Sequence, residues 1–242
     1  MNRSHLSVIA VGIALAMPTA LLGSGSASAA DPAKGPNVDA AKRGSSPRTE
    51  AVAQAALADQ VARHADRTRD VLAMIAAARM LSQTGPRAVK HDLRTEGASK
   101  TADAKAGAAT TRDTTLNGML ERARKYAGGR HDLNGLVDEL AKSSAKVRED
   151  GPARFATRIA DGVTNVYTLS FRANEPVMVA VTGEGASDLD LLVEDEAGNR
   201  ICASDGGGDD EICRWTPRRT GNFRIRVRNL GAVYNEYRLW SN

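Results

Sequence analysis

Five aspartates in the last quarter of the chain carry side chains that could bind a metal ion. They lie close together in sequence, three of them beside a run of glycines: Asp188, Asp190, Asp205, Asp209 and Asp210. Calcium takes about six to eight oxygen ligands, and a glycine-rich turn lets backbone carbonyls join the carboxylates. The residues therefore form a candidate calcium site. They lack the spacing of an EF-hand, and we favour the alternative that they form an exposed acidic hairpin tip.

Aromatic residues near the C-terminus could provide a ligand-binding surface. Trp215, Tyr234 and Tyr237 are the candidates, since aromatic side chains offer a large contact area. The alternative, which we favour, is that they pack at the edges and corners of a β-sandwich, because large aromatics are mostly buried.

Three arginines alternate along one stretch of chain and would share one face of a strand. Arg224, Arg226 and Arg228 could together bind an anionic ligand. We favour instead cross-strand pairing with an acid such as Glu194, Asp190 or Glu236.

The sequence contains no recognisable catalytic motif. It lacks His-Glu-x-x-His, Gly-x-Ser-x-Gly, a P-loop and a dinucleotide fingerprint. We therefore predict no catalytic residue and no cofactor. A hydrolase remains an alternative, with a site between helices and sandwich, because Asp188 and Asp190 would share a strand face.

The two cysteines, Cys202 and Cys213, are expected to form a disulfide. They flank the Gly/Asp loop of a predicted hairpin, where facing strand positions come within bonding distance. Such a bond belongs to an oxidising compartment.

Export is indicated by residues 1–29, which have the form of a signal peptide. A charged start precedes an apolar stretch over 6–22, and Ala27-Ser28-Ala29 fits the small-x-small cleavage rule. We expect a periplasmic or extracellular protein without stable membrane insertion after cleavage. The formal net charge of +4 comes from interleaved cations and acids without a basic run, which argues against a nucleic-acid partner.

The spacing of the apolar residues divides the remaining chain into a helical part and a β-strand part. Steps of three and four predict helices over 49–84, with a break near Asp70, and a helical pair over 114–150. Residues 30–48 are predicted to be a flexible leader, and 85–113 a disordered linker. After Pro152 the period changes to two, which predicts an antiparallel β-sandwich over 153–242. The expected fold class is α+β.

Three segments of the predicted sandwich resemble the bacterial pre-peptidase C-terminal domain family. Residues 187–199 contain its Asp-Leu-Asp-Leu strand and Asp-x-x-Gly-Asn turn, while 215–223 and 227–239 resemble its later strands. The whole chain is also similar to exported proteobacterial proteins that place a helical segment before such a module. The resemblance implies a jelly-roll-like sandwich, usually an appendage of secreted enzymes without catalysis of its own.

The expected function is non-catalytic binding of a protein or glycan in the cell envelope through the sandwich. One alternative is a calcium-binding accessory domain of a secreted hydrolase system. Another is a helical envelope-structure or chaperone-like component, in which alanine-rich helices bind partner helices.

Overall fold

The computed structural model describes residues 35–42, 44–89, 93–99, 112–143, 151–185 and 187–242. Helices precede two mainly antiparallel sheets, which confirms the α+β class. The predicted signal peptide and its cleavage site lie outside the described residues. Within these ranges, no helix is long and apolar enough to cross a membrane.

Four helices form where the sequence pattern predicts them. They are α1 (Pro47–Thr68), α2 (Val71–Thr84), α3 (Leu116–Ala127) and α4 (His131–Ser143). The break between the first two is confirmed. Arg69 adopts a left-handed conformation (φ 53°) that ends α1, and the Asp70 carboxylate accepts hydrogen bonds from the backbone N–H groups of Leu72 and Ala73.

Ten strands form the two sheets of the sandwich. They are β1 (Arg87–Ala88), β2 (Leu93–Glu96), β3 (Ala153–Ile159), β4 (Thr164–Phe171), β5 (Val177–Thr182), β6 (Leu189–Asp195), β7 (Arg200–Ser204), β8 (Asp210–Trp215), β9 (Gly221–Asn229) and β10 (Asn235–Ser241). One sheet has the order β1-β3-β10-β5-β8 and the other β2-β4-β9-β6-β7. We call the first the helix-covered sheet and the second the open sheet.

The alternating apolar residues lie in the core between the sheets. On β6 and β9, Leu191 faces Val227 and Val193 faces Ile225, and all four side chains are buried. Aromatic rings from both sheets meet in the same core, where Phe223 packs against Phe171 and Trp215. The period of two therefore reflects one buried face per strand.

The helices pack on the outward face of the helix-covered sheet. Met178 and Ala180 of β5 and Trp240 of β10 are fully buried in one cluster with the small side chains of α1 and α2. Alanines allow α1 to approach the strands closely. The strands β5 and β10 are thus buried on both faces, whereas the outward side chains of the open sheet are mostly half-buried or exposed.

The segment predicted as a disordered linker contributes an edge strand to each sheet. β1 pairs in parallel with β3, and β2 pairs antiparallel with β4. Residues 90–92 and 100–111 lie outside the described residues. The prediction of disorder is wrong for the two strands, because backbone hydrogen bonds to a sheet edge do not require the apolar side chains whose absence suggested a linker.

Part of the predicted flexible leader is also bound to the sandwich. The backbone N–H of Asn37 donates to the Asp195 carboxylate (3.0 Å), and its side chain exchanges hydrogen bonds with the backbone of Arg219. Asp39 N–H donates to the carbonyl of Thr216. For residues 35–42 the prediction of flexibility is therefore wrong, since polar contacts replace the missing apolar ones.

Candidate functional site

A groove of about 450 Å³ crosses the outward face of the open sheet. All five strands of that sheet contribute to its lining, together with nearby turn residues. Its charged side chains are three acids and three arginines: Glu96, Asp190, Asp205, Arg200, Arg226 and Arg228. The groove therefore offers both signs of charge over a short distance.

The arginines of β9 are held mainly by acids on neighbouring strands. Arg224 Nε lies 3.4 Å from a Glu194 carboxylate oxygen, as the pairing interpretation predicts. Arg226 Nη2 instead donates to Glu96 Oε2 at 2.8 Å, a partner supplied by the segment that was predicted to be a linker. Glu236 pairs with Arg158 on the helix-covered sheet and is not a partner of these arginines.

Two arginines of the groove lack such a partner. Arg228 lies opposite Asp190 in the β6–β9 register and is exposed, and Arg200 is exposed at the start of β7. Within the described part of the chain, neither forms an ion pair or a side-chain hydrogen bond. Both guanidinium groups are thus available to a ligand in the groove.

The acids beside these arginines repel one another. Burial raises the pKa of Asp190, and the charges of Asp188 and Asp205 raise it further, while Arg228 opposes the shift. Burial and the nearby charges of Asp190 and Asp188 likewise raise the pKa of Glu211. This end of the groove favours a positively charged group on a ligand.

The five aspartates predicted to bind calcium do not form one site. Asp209 is buried and accepts hydrogen bonds from Gly185 N–H and the Asn235 amide. Asp210 accepts from Arg63 of α1. The side chains of these two aspartates therefore bond to groups on the side of the helix-covered sheet, whereas Asp190 and Asp205 line the groove.

No group of three or more His, Cys, Asp or Glu among the described residues is placed to hold a metal ion. Because Asp209 and Asp210 bond to other groups, the five aspartates do not converge on one site. The glycine-rich loop connects β7 of the open sheet to β8 of the helix-covered sheet. Aspartates at its two ends therefore have different neighbours.

The predicted aromatic ligand surface is also wrong for two of its three members. Trp215 is 3% exposed among other rings, and Tyr237 is fully buried. The Tyr237 hydroxyl lies 2.6 Å from that of Tyr167 and accepts from the Asn165 amide. Tyr234 is half-buried, with the Arg158 guanidinium 5.8 Å from its ring centre. No aromatic side chain is among the described lining of the groove.

The predicted disulfide between Cys202 and Cys213 is confirmed, but it does not cross-link one hairpin. Cys202 lies on β7 of the open sheet and Cys213 on β8 of the helix-covered sheet, and these are the edge strands of their sheets. The bond therefore joins the two layers at one side of the sandwich. In the chain-entropy model, closing this short loop raises the free energy of unfolding by about 3 kcal/mol.

Neither histidine in the described part of the chain lines the groove. His64 and His131 are exposed on α1 and α4, and His91 is outside the described residues. The hydrolase hypothesis required a cleft near Asp190 between helices and sandwich. The groove that contains Asp190 instead lies on the opposite sheet.

Comparisons with known proteins give partial similarities in fold. No family model matches the chain, and no curated protein matches it either. The pre-peptidase C-terminal domain of a Bacillus anthracis collagenase is 16% identical, with 37% of this chain and 88% of that domain covered and a TM-score of 0.31.

Two other solved structures have similar coverage and TM-scores. The Aeromonas hydrophila periplasmic inhibitor of g-type lysozyme is 19% identical, with coverage of 38% and 84% and a TM-score of 0.30. A carbohydrate-binding module from Cellvibrio mixtus lichenase 5A, in complex with cellotriose, is 9% identical, with coverage of 38% and 86% and a TM-score of 0.27. At these values the similarity concerns the fold alone.

Proposed function

We propose that this chain is an exported, non-catalytic binding module of the pre-peptidase C-terminal type. It binds a protein or a glycan of the cell envelope through the groove on the open sheet. Export agrees with the apolar segment at residues 6–22 and with the disulfide.

The observation that carries this proposal is the unequal use of the two sheets. The helices bury Met178, Ala180 and Trp240 on one outward face, so the part of that face around these three side chains is already occupied. The other outward face carries a groove of about 450 Å³ lined by all five of its strands. Ligand sites are usually concave and few per protein.

The character of the groove favours a charged partner. Arg200 and Arg228 are exposed without ion pairs to other described residues, and Asp190 and Asp205 provide acids close by. A protein segment that carries both signs of charge would complement this lining. The described lining offers a neutral glycan no aromatic ring to stack on.

The alternative of a helical chaperone-like component gains little support from the packing. The apolar faces of α1, α2 and α3 are already occupied by one another and by the helix-covered sheet. The exposed leucines Leu57, Leu72 and Leu136 lie on three different helices. Single exposed leucines are common on folded proteins and do not indicate a docking face.

A capture experiment tests the groove. The disulfide-bonded protein, purified from the periplasm of an expressing bacterium, is immobilised and exposed to envelope proteins and to a panel of neutral and acidic glycans. The double variant Arg200→Ala/Arg228→Ala is compared with Arg214→Ala, which removes an exposed strand arginine from the other sheet. We expect the double variant to lower affinity at least about tenfold, or about 1.4 kcal/mol.

The control variant Arg214→Ala is expected to bind as the parent does. Equal binding by the parent and the double variant would contradict the assignment of the groove. Failure of the parent to bind any member of the panel, while fully folded, would contradict the proposed function itself.

A further inference from the structure

A second cavity, of about 320 Å³, lies on the helix-covered sheet where the helical layer leaves β3 uncovered. Residues of β3 and β10 line it, together with the turn before α3, which includes Asp113 and Thr114. It is distinct from the groove, because the two lie on different sheets.

Four arginines line this cavity, and three of them have a carboxylate within ion-pair distance. Arg112 Nε lies 3.3 Å from an Asp66 carboxylate oxygen, and Arg158 Nη2 lies 2.6 Å from Glu236 Oε1. The third, Arg238, donates through Nε to Asp59 Oδ2 at 2.8 Å. Each of these three guanidinium groups therefore has a carboxylate within ion-pair distance, and Arg112 shares Asp66 with Arg122.

The fourth arginine, Arg154, has no carboxylate within ion-pair distance among the described residues. One of its terminal nitrogens donates to the Thr114 hydroxyl, while its Nε has no acceptor although it is buried. The guanidinium carbon lies 5.9 Å from the ring centre of Trp240. A buried donor without an acceptor lowers the stability of the fold. A ligand atom that accepts a hydrogen bond from this nitrogen would remove that cost.

The charges around Arg154 also indicate that its guanidinium lacks a full counter-charge. Burial lowers the pKa of the guanidinium, the charge of Arg238 lowers it further, and Asp59 and Asp113 oppose the shift. The positive charge is therefore only partly compensated by the surrounding carboxylates.

We propose that Arg154 binds the carboxylate of a small organic acid in this cavity. A single negative charge matches the single uncompensated guanidinium, and an arginine fork suits a planar carboxylate. A dianion such as phosphate would be repelled by Asp113 and Glu236, which also line the cavity. The Ala156 side chain shares the outward face of β3 with Arg154 and provides contact area for an apolar body.

The ligand is an organic acid and not an inorganic ion because of the available volume. Small-molecule sites begin at roughly 300 Å³, and this cavity reaches that size. The carboxylate would occupy only the part next to Arg154, and the remaining space would hold a short hydrocarbon chain.

Ligand-observed saturation-transfer NMR with hexanoate tests the proposal on the full chain. Hexanamide supplies the same hydrocarbon without charge, and inorganic phosphate supplies the dianion at matched ionic strength. We expect saturable hexanoate binding, no measurable binding of hexanamide, and at least tenfold weaker binding of phosphate.

Two variants assign the binding to Arg154. Arg154→Met should lower hexanoate affinity at least tenfold, and Arg154→Lys, which keeps the charge without the fork, should lower it less. The matched control is Arg172→Met, an arginine with a 75% exposed side chain near Glu175, which should bind as the parent does.

Three results would overturn this proposal. They are the absence of saturable hexanoate binding, equal binding of phosphate, and undiminished binding by both Arg154 variants. If Arg154→Met does not fold, the lysine variant decides alone. Because the groove is not involved, none of these results bears on the proposed function.

Discussion

Replacement of Asp59 by alanine is expected to lower the free energy of unfolding by about 3–5 kcal/mol. The Asp59 carboxylate is buried between α1 and the helix-covered sheet, where its side chain is 1% exposed. It accepts hydrogen bonds from Arg238 Nε at 2.8 Å and from the Thr182 hydroxyl at 2.7 Å. Its loss leaves the Arg238 charge buried without a counter-ion.

The same contacts connect the helices to the sheet. Thr182 also accepts a hydrogen bond from the Trp240 indole N–H at 3.2 Å, and Arg238 donates to the Gly183 carbonyl. Arg63, one turn further along α1, donates to the same carbonyl and pairs with Asp210. We therefore expect the Asp59 variant to loosen the helical layer before the sandwich unfolds.

Urea unfolding followed by circular dichroism measures the loss. Asp138→Ala is the matched control, because it breaks the solvent-exposed ion pair with Arg124 and should cost less than about 1 kcal/mol. The double variant Asp59→Leu/Arg238→Met should recover part of the stability by removing both charges. A loss of similar size in the control and in Asp59→Ala would contradict this account of the interface.

The second large effect is expected at Phe223, whose replacement by alanine should cost about 3–5 kcal/mol. Its ring is fully buried between the sheets. The ring centre lies 5.4 Å from that of Trp215 and 5.8 Å from that of Phe171. The variant leaves a cavity that these large rings cannot fill without leaving their rotamers.

Near-ultraviolet circular dichroism and urea unfolding measure this effect together. The control Leu230→Ala removes an apolar side chain that is 39% exposed, and its cost should stay within about 0.5 kcal/mol. If Phe223→Ala unfolds at the same urea concentration as Leu230→Ala, the ring cluster does not hold the two sheets together.

Periodicity was sufficient to predict the helices and an antiparallel sandwich after residue 152, which consists of eight strands in the structure. The spacing of apolar residues indicates which face of each helix or strand is buried. Asp70 is a helix-capping residue and so indicates where α2 begins. The edge strands β1 and β2 carry no such signal, because they add backbone hydrogen bonds at a sheet margin. Their existence depends on the sheet they join.

Site residues were harder to predict, because their roles depend on which sheet each strand enters. Cys202 and Cys213 were predicted to pair within a hairpin, but β7 and β8 belong to different sheets. The same separation divides the acidic set, with Asp190 in the groove and Asp210 bound to Arg63. Proximity in sequence could not reveal this.

The groove and the second cavity combine residues that are far apart in sequence. Glu96 reaches Arg226 across 130 positions, and the Asp59–Arg238 pair spans 179. The alternating arginines favour cross-strand pairing over an anion site, and Arg224 does pair with Glu194, but the partner of Arg226 is Glu96, which the sequence pattern does not indicate. The position of Asp59 among the alanines of the buried face of α1 was the available signal.

Oxidation of methionines in the folded protein tests most directly whether the helices cover the outward face of the helix-covered sheet. Met178 is fully buried on the outward face of β5 beneath α1, whereas Met80 of α2 is half-buried. With dilute hydrogen peroxide and mass spectrometry, we predict that Met80 is oxidised at least tenfold faster than Met178. Equal oxidation rates in protein that retains its native circular dichroism would contradict the account.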